Sequence, residues 1–355
     1  MPHHVMVHLM WAPSNLARLV VWFLVLLDST LRAMVWRRRH GKAPSSSDVL
    51  PPEWDKHSVV LVTGAGSGIG RATAVRFAEL GCTVVVVCIT LHDAEEMCES
   101  IRDYATSHGK LIPKGADLRS ETEVVNLVSG LSPDLPIRCV VHCAGVMRTS
   151  VDPRAMQDVV LVNAAAPKVL TELLIKRRAK YNHSQKLRAV FVGSFTHRAV
   201  TLRELRVWME ILSDRERFVK SVSGITPASV YACSKTAVTV AARELGVKYE
   251  SNANGVTVTI ADPGLVDTNI NRDWPFLLRF AYIVVTKAIR VLDTPTEAAE
   301  GVCLACFSDE AEEDNSGVSY FFGTNGARLA PSQIVFNPEA RKIVTEALEE
   351  VEGYW

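Results

Sequence analysis

The chain has 355 residues, of which 48% are apolar and 22% are charged, so it can bury a substantial core. This composition excludes wholesale disorder. Lys and Arg together number 39, as do Asp and Glu, so no net field attracts nucleic acid, and RNA-binding motifs are absent. A chain of this length could form two domains or one large α/β domain with appendages, and we expect no nucleic-acid partner.

The eight cysteines are typical of a protein kept in a reducing environment. Several lie in apolar runs such as "TVVVVCIT", where a thiol packs as a small hydrophobic group. Cys303 and Cys306 form a lone C-x-x-C pair without a nearby histidine, which is too little for a structural zinc site. We expect reduced, buried cysteines in a domain facing the cytosol, and no metal site.

The amino-terminal segment differs from the rest of the chain. Its uninterrupted apolar run, Leu19 to Leu27, is shorter than the roughly 20 residues of a spanning helix, although apolar residues continue beyond Asp28. In a helix, Asp28 and Arg32 form an i, i+4 pair. Three alternatives are a spanning signal anchor, an in-plane amphipathic anchor and a cleaved targeting peptide. The basic run "WRRRHGK" favours membrane attachment, with the following domain on the cytoplasmic side.

Composition shifts divide the chain into four parts. We expect a membrane anchor or targeting segment at 1–45, a Pro- and Ser-rich linker at 46–55, the folded domain at 56–325 and a C-terminal helical tail at 326–355. Because the first segment precedes the linker, we expect no sheet contact to depend on it, and the chemistry to proceed without it.

The stretch "HSVVLVTGAGSGIGRATAVRFAELGCTVVVVCIT" predicts a βαβ unit with a glycine-rich turn. The turn falls at a helix N-terminus, where free amides and the helix dipole receive a pyrophosphate. The spacing is Gly64-x3-Gly68-x-Gly70, which differs from the common G-x-G-x-x-G fingerprint. We predict that this turn binds a nucleotide cofactor through Gly64, Ser67, Gly68, Ile69 and Gly70.

The stretch "VYACSKTA" places Tyr231 and Lys235 one turn apart on one face of a predicted helix. Together, "TGAGSGIG" and this Tyr-x-x-x-Lys resemble the cofactor turn and active-site helix of the short-chain dehydrogenase/reductase superfamily. The resemblance runs from about residue 58 to the C-terminal region, with the motifs in the expected order. More narrowly, "GSFTHRAV", "DTPTEAAEG" and "SGVSYFFG" resemble the retinol-dehydrogenase-like and plant reductase-like branch, in which amino-terminal membrane anchors are common.

The resemblance implies roles for further residues. The four catalytic positions would be Asn163, Ser194, Tyr231 and Lys235. Tyr231 would exchange a proton with the substrate oxygen, and the neighbouring Lys235 ammonium would favour its phenolate form and bind the nicotinamide ribose. Ser194 would orient the substrate oxygen, and Asn163 would hold a water that joins Lys235 to solvent. Besides the glycine-rich turn, Tyr231 and Lys235, the cofactor contacts would be Asp117, Leu118, Ala144, Gly145, Pro263, Gly264 and Thr268.

The chain departs from the family pattern at two places. His142 and Cys143 stand where the family has two asparagines, so we expect looser contacts there without loss of a catalytic group. The chain also has an insert between Ser194 and Tyr231. We expect this insert to form a surface segment beside the active site, with its apolar residues packed against the domain.

The end of the second predicted strand bears on cofactor choice. NAD-dependent relatives usually present an acid to the ribose hydroxyls there, whereas this chain has Ile89 and Thr90. No arginine stands there to hold a 2′-phosphate, and Arg71 is the nearest basic candidate. We favour NADP(H) over NAD(H).

The resemblance implies a single doubly wound (Rossmann) α/β domain with a mostly parallel, seven-stranded sheet. The implied function is NADP(H)-dependent interconversion of an alcohol and a carbonyl on a lipophilic retinoid-, sterol- or polyprenoid-like substrate. The apolar "WPFLLRFAYIVVTKAIRVL" lies where the family builds its substrate lid. It suits such a substrate and contact with a membrane surface, or alternatively a lid helix buried against its own domain. We expect a cytosol-facing domain on the endoplasmic reticulum, or alternatively a plastid or mitochondrial protein. The sequence is compatible with an oligomer. The rival function is a non-catalytic nucleotide-binding scaffold or sensor on a membrane.

Overall fold

The structure is a computed structural model. It describes residues 13–40, 54, 58–104, 109–148, 153–183, 185–213, 227–249, 256–272, 286, 292–308, 318–324, 326–352 and 355. Most of the expected lid segment and the second half of the insert lie outside these residues.

The described residues form a mostly parallel sheet of eight strands. They are β1 (Val59–Thr63), β2 (Thr83–Cys88), β3 (Leu111–Gly115), β4 (Ile137–His142), β5 (Leu187–Val192), β6 (Val256–Asp262), β9 (Ser319–Phe322) and β10 (Ala327–Arg328). Two further strands, β7 (Leu265–Val266) and β8 (Leu292–Asp293), pair with each other.

The strand order is β3-β2-β1-β4-β5-β6-β9-β10, and every neighbouring pair is parallel except β9 and β10. This order confirms the predicted doubly wound sheet. The prediction of seven strands matches the parallel strands and misses β10. That antiparallel edge strand has only two residues, too few to leave an alternating pattern in the sequence.

The described helices cover both faces of the sheet. They are α1 (Pro13–His40), α2 (Gly68–Glu79), α3 (Leu91–Tyr104), α4 (Glu121–Ser129), α5 (Pro153–Val160), α6 (Ala166–Lys180), α7 (Leu202–Ser213), α8 (Pro227–Tyr249), α9 (Pro295–Phe307) and α10 (Pro338–Glu352).

Alternate residues of the central strands enter two separate cores. In β1, Val59 and Leu61 pack in the core that includes α6 and α8, whereas Val60 and Val62 pack in the core that includes α2 and α9. Both faces of the sheet are covered, which explains why the strands read as continuous apolar runs.

Helix α1 packs against the domain. Trp22 and Leu26 are buried, and Arg18 lies 2.5 Å from Glu204 of α7. The helix also contacts β10, so the expectation that no sheet contact depends on this segment is wrong. The predicted Asp28–Arg32 pair forms, at 2.7 Å. None of the helices that the structure describes is both long enough and apolar enough to cross a membrane.

Segments expected outside the domain also contribute to its core. Trp54, within the predicted linker, is 5% exposed and packs against Phe77 and Phe307. In the described first half of the insert, Leu205 and Trp208 of α7 are buried, so the apolar residues there pack against the domain as predicted. Helix α7 lies against α10, the C-terminal helix, through which the chain's last segment joins the same core.

Candidate active site

One cavity of about 930 Å³ opens at the carboxyl ends of the parallel strands. All but one of the sequence-predicted site residues line it, and Asn163 is the exception. The lining members are Gly64, Ser67, Gly68, Ile69, Gly70, Asp117, Leu118, Ala144, Gly145, Ser194, Tyr231, Lys235, Pro263, Gly264 and Thr268.

The glycine-rich turn between β1 and α2 needs its glycines for space and for backbone conformation. Gly64 and Gly68 have φ of 65° and 54°, in the left-handed region that disfavours other residues. A Cβ at Gly64 would lie 2.7 Å from the Ala144 backbone, and one at Gly70 would lie 2.2 Å from the Gly64 carbonyl oxygen. The turn therefore keeps the N-terminal amides of α2 open to the cavity, which suits a pyrophosphate.

Tyr231 and Lys235 lie one turn apart on α8, as predicted. The Lys235 ammonium is buried, lies 5.8 Å from the Tyr231 ring centroid and donates to the Val192 carbonyl oxygen at 2.8 Å. Burial lowers the pKa of Lys235 to about 8, opposed by the charge of Asp262. An ammonium in this position can move towards its neutral form near physiological pH.

Ser194 follows β5 and lies at the start of a 3-10 turn, Phe195–Ala199. Its hydroxyl oxygen accepts hydrogen bonds from the Thr196 hydroxyl (3.0 Å) and the Thr196 amide (3.3 Å). The Ser194 carbonyl oxygen accepts from His197 Nδ1 at 2.7 Å, and His197 Nε2 accepts from the Ser332 amide at 3.0 Å. Burial lowers the pKa of His197 to about 3, so a neutral imidazole fixes the backbone at Ser194. This positioning role of His197 was not identified from the sequence.

Asn163 lies beneath the cavity in a π-helical turn, Leu161–Ala165. Its side-chain oxygen accepts from the Val146 amide at 2.8 Å, and its nitrogen donates to the Val146 carbonyl oxygen at 2.9 Å and to Ser234 at 3.0 Å. The amide thus holds the loop after β4 against α8. The π-turn, a feature often found at functional sites, turns this side chain towards both elements.

His142 and Cys143, which replace the family's two asparagines, differ in their position relative to the cavity. His142 Nε2 donates to the Thr171 hydroxyl at 2.8 Å, its ring stacks on Phe191, and it does not line the cavity. Burial lowers its pKa to about 3. Cys143 lines the cavity, and burial raises the pKa of its thiol to about 12. Neither residue displaces a predicted catalytic group; the expected loosening of cofactor contacts stays a prediction.

Charged groups from three elements form a network on the cavity wall. Arg119 pairs with Asp117 at 2.6 Å and lies 3.6 Å from Asp158, which also pairs with Arg148 at 3.3 Å. Hydrogen bonds from Arg119 hold the pKa of Asp117 below its usual value. Of these four, only Asp117 was predicted, because the others meet only when α5 packs beside the ends of β3 and β4.

The buried carboxylate of Asp262 lies near Lys235 and favours its charged form. Asp262, at the end of β6, accepts from the Tyr320 hydroxyl and from the Gly264 amide. Burial raises its pKa to about 6, while its charge in turn favours the protonated form of Lys235. The sequence contained this acid in "ADPG", but its partner Tyr320 lies on another strand.

The end of β2 presents Ile89 to the cavity, whereas Thr90 does not line it. The Thr90 hydroxyl donates to the Asp93 carboxylate at 2.7 Å, and its oxygen caps α3 by accepting from the Asp93 amide at 3.1 Å. Asp93 also lines the cavity. Arg71, the basic candidate from the sequence, donates to Ser100 at 3.0 Å and is not among the lining residues.

All eight cysteines are free thiols, and seven of them are buried, with Cys143 partly accessible. Across the part of the chain that the structure describes, no three His, Cys, Asp or Glu side chains gather closely enough to hold a metal ion.

The sequence reasoning missed one wall of the cavity entirely. Trp22, Phe23 and Leu26 of α1 line it, and the Trp22 and Tyr231 ring centroids are 6.2 Å apart. The only signal in the sequence was the helical spacing of these apolar residues, which an anchor would share.

Solved structures resemble this fold. A protein described as an NAD(P)-dependent gluconate 5-dehydrogenase from Beutenbergia cavernae, with bound NADP, has a TM-score of 0.55 at 24% identity, over 76% of this chain and 95% of that chain. A variant of actinorhodin polyketide ketoreductase with NADPH has a TM-score of 0.56 at 21% identity, over 76% and 97%. These likenesses define the fold class.

A model of the short chain dehydrogenase family matches residues 58–199. Polyprenol dehydrogenase of Mus musculus is 33% identical over 272 residues, which cover 74% of this chain and 75% of the relative. Retinol dehydrogenase 14 of Mus musculus is 29% identical over 268 residues, covering 70% and 74%. The chain therefore belongs to the short-chain dehydrogenase/reductase superfamily, in its retinol-dehydrogenase-like branch. It is an oxidoreductase that binds a nicotinamide cofactor and interconverts an alcohol and a carbonyl group.

Proposed function

We propose that the protein is an NADP(H)-dependent oxidoreductase for a lipophilic alcohol or its carbonyl counterpart. One observation carries the proposal: Tyr231, Lys235 and Ser194 line the same cavity as the glycine-rich turn, and much of the remaining wall is apolar. A polar catalytic corner beside an apolar space is the arrangement that a mostly hydrocarbon substrate with one oxygen requires.

The cavity fits a dinucleotide at its glycine-rich end. Because Gly64 and Gly70 lack side chains, the turn packs closely against the Ala144 backbone and against itself, and the α2 amides beside it would hold the pyrophosphate. Asp117 and Leu118 would lie beside the adenine, and Lys235 would bind the nicotinamide ribose. When bound, the nicotinamide accepts or supplies the hydride.

The protein's own groups would handle the proton and the substrate oxygen. Tyr231 would donate its phenolic proton to the carbonyl oxygen during reduction and take it back during oxidation. Lys235, one turn away, would stabilise the phenolate, and buried Asp262 would in turn favour the charged form of Lys235. The Ser194 hydroxyl would donate a hydrogen bond to the same substrate oxygen, with Thr196 and His197 holding its position. Asn163 would hold a water that connects Lys235 to solvent.

The preference for NADP(H) rests on the end of β2. Ile89, an uncharged residue, stands there in the cavity wall, so no strand-end acid repels a 2′-phosphate. The nearby acids Asp93 and Glu96 have partners close by, since Thr90 donates to Asp93 and His92 lies 3.4 Å from Glu96.

The proposal of a lipophilic substrate is supported by the apolar part of the cavity wall and by the named relatives. Met147, Phe195, Leu265 and Ile270 line the cavity, together with the apolar residues of α1. The named relatives act on polyprenol and retinol, which are apolar alcohols. We infer a substrate of that class for this chain.

We also propose that residues 1–45 attach the protein to a membrane surface, on the cytosolic side of the endoplasmic reticulum. The outer side of α1 exposes apolar residues at helical spacing, among them Val20, Leu24, Leu31 and Met34. The exposed arginines 37–39 follow it and would bind anionic headgroups. Co-sedimentation with phosphatidylcholine–phosphatidylserine vesicles tests this: binding lost in the Leu24→Lys/Leu31→Lys double variant supports it, and unchanged binding contradicts it.

The function is tested by a substrate screen on the full chain. Retinal, sterol ketones and polyprenoid aldehydes are offered with NADPH and with NADH, and cofactor oxidation is followed by absorbance. Turnover of at least one lipophilic aldehyde or ketone, faster with NADPH, supports the proposal. Cofactor binding without hydride transfer to any of them would instead favour the nucleotide-binding scaffold.

A further inference from the structure

Helix α1 lies against both elements that carry the catalytic side chains. It contacts the 3-10 turn after Ser194 and also α8, which carries Tyr231. The ion pair between Arg18 and Glu204 and the burial of Trp22 hold it there. The substrate end of the cavity is therefore bounded by a segment far from the catalytic residues in the chain.

The two sides of α1 differ sharply at adjacent positions. Leu26 is 6% exposed and lines the cavity, whereas Leu27 is 46% exposed and does not. Phe23 lines the cavity and is also 48% exposed, so it stands at the mouth. The buried indole N–H of Trp22 has no acceptor among the described residues. One side of the helix thus forms a wall of the cavity, and the other side is open.

We propose that Trp22, Phe23 and Leu26 are specificity-determining residues, which form the substrate-facing wall and set the size of the apolar group accepted. This inference rests on the proposed function, because it assigns a lipophilic substrate to the cavity. It replaces the expectation that the amino-terminal segment is dispensable for the chemistry. The segment supplies part of the substrate site, whether or not it also contacts a membrane.

The test compares adjacent positions in the full chain. Leu26→Ala and Leu26→Trp change the size of the wall, and Leu27→Ala and Leu27→Trp make the same changes on the open side. The kcat/KM values for farnesol and for the much shorter prenol are measured with NADP⁺. The affinity for all-trans-retinol is measured separately by its fluorescence, so that binding is judged without turnover. Affinity for NADPH and the thermal unfolding midpoint check that each variant is folded.

We expect Leu26→Trp to lower the farnesol-to-prenol ratio of kcat/KM by about 10-fold or more, the scale of a misfit in an apolar pocket. Leu26→Ala should shift the preference the other way, towards bulkier groups. The Leu27 variants should keep the wild-type ratio, and NADPH affinity should be unchanged in all four. Because the two Leu26 variants act in opposite directions, general destabilisation cannot imitate the result.

Equal ratios and equal retinol affinities in the Leu26 and Leu27 variants would overturn the inference. So would a wild-type protein that binds no retinol and turns over no farnesol. A wild-type protein that binds retinol without any turnover would refute the proposed function instead. In that case, a weaker retinol affinity in Leu26→Trp but not in Leu27→Trp would still support the inference that α1 forms the ligand-facing wall of the cavity.

Discussion

The two halves of the cavity are built in different ways. The cofactor half, lined by the glycine-rich turn at 64–70, Asp117 and Gly145, consists of loops that directly follow parallel strands. The half proposed to bind the substrate, called the substrate half below, is lined by Phe195, Ile270 and the inner side of α1, which come from the start, middle and later part of the chain. Tyr231 and Ser194 stand where the two halves meet.

Sequence motifs identify the residues of the cofactor half but not those of the substrate half. A cofactor has a fixed chemistry, so its site needs particular residues at particular spacings. An apolar substrate needs only space of the right shape, which many side chains from many segments can provide. The cofactor half should therefore fail when a single glycine is changed, whereas the substrate half should respond by graded shifts in preference.

The largest effect should come from Gly68→Val, which breaks the cofactor half. Gly68 has φ of 54°, and an added Cβ would lie 3.2 Å from the Thr268 methyl group, where the turn meets the helix N-terminus. We expect NADPH binding to be lost, measured by fluorescence titration. Gly323→Val is the matched control, because Gly323 also has a positive φ but does not line the cavity. Unchanged affinity in a folded Gly68→Val protein would contradict the assignment of this turn.

At the boundary between the halves, Tyr231→Phe should lower kcat by ~10²-fold or more, the scale of a lost general acid–base. The phenolic hydroxyl is removed while the ring beside Trp22 remains, so NADPH affinity should persist. Stopped-flow measurement of hydride transfer separates this effect from slow product release. Tyr249→Phe, on the same helix and outside the cavity wall, should leave kcat near the wild-type value. Normal turnover in Tyr231→Phe would rule out the proposed role.

A smaller, graded effect should follow within the cofactor half from Ile89→Asp. A carboxylate at this cavity-lining position would repel a 2′-phosphate, and a repulsion of about 1.4 kcal/mol lowers the NADP(H) preference about 10-fold. The ratio of kcat/KM with NADPH and NADH measures it. Leu91→Asp adds the same charge at an exposed position outside the cavity and is the control. A wild-type enzyme with clearly higher kcat/KM for NADH would end the NADP(H) assignment.

The smallest expected effect is on the stability of the sheet that carries both halves, and it involves the buried His142. Burial lowers its folded-state pKa to about 3 from an ordinary value of 6.5, so the unfolded chain binds more protons between these values. Stability is therefore fully present above pH 6.5 and is lost as the pH falls towards 3. His142→Asn should remove this contribution and reduce the drop in unfolding free energy from pH 7 to pH 6 by about 0.7 kcal/mol.

Urea unfolding at the two pH values measures this difference. His92→Asn, at an exposed position on α3, is the control and should keep the wild-type drop. An equal drop in wild type and His142→Asn would show that the imidazole is not held neutral in the folded protein.

Prediction from the sequence succeeded where function depends on local geometry. The βαβ unit, the glycine-rich turn and the Tyr231–Lys235 spacing each lie within one or two adjacent elements, and the structure brings all of them to one cavity. It succeeded less well where a side chain's partner is remote. Asn163 bonds to Val146 and Ser234, which lie on other elements, and its role in a water path stays a prediction. The Arg119–Asp158 pair and the Asp262–Tyr320 pair link elements that no spacing rule connects.

Local sequence patterns were sufficient to predict the fold class, the family and the residues that line the glycine-rich end of the cavity. Buried parallel strands and a nucleotide-binding turn leave patterns at fixed spacing, because hydrogen-bond registers and phosphate geometry repeat. Tertiary packing alone places α1 in the cavity wall beside Tyr231 and Trp54 in the core. An apolar helix has the same pattern whether it meets lipid or protein. Which of its sides is covered depends on the surface that the rest of the chain presents, and that surface exists only after folding.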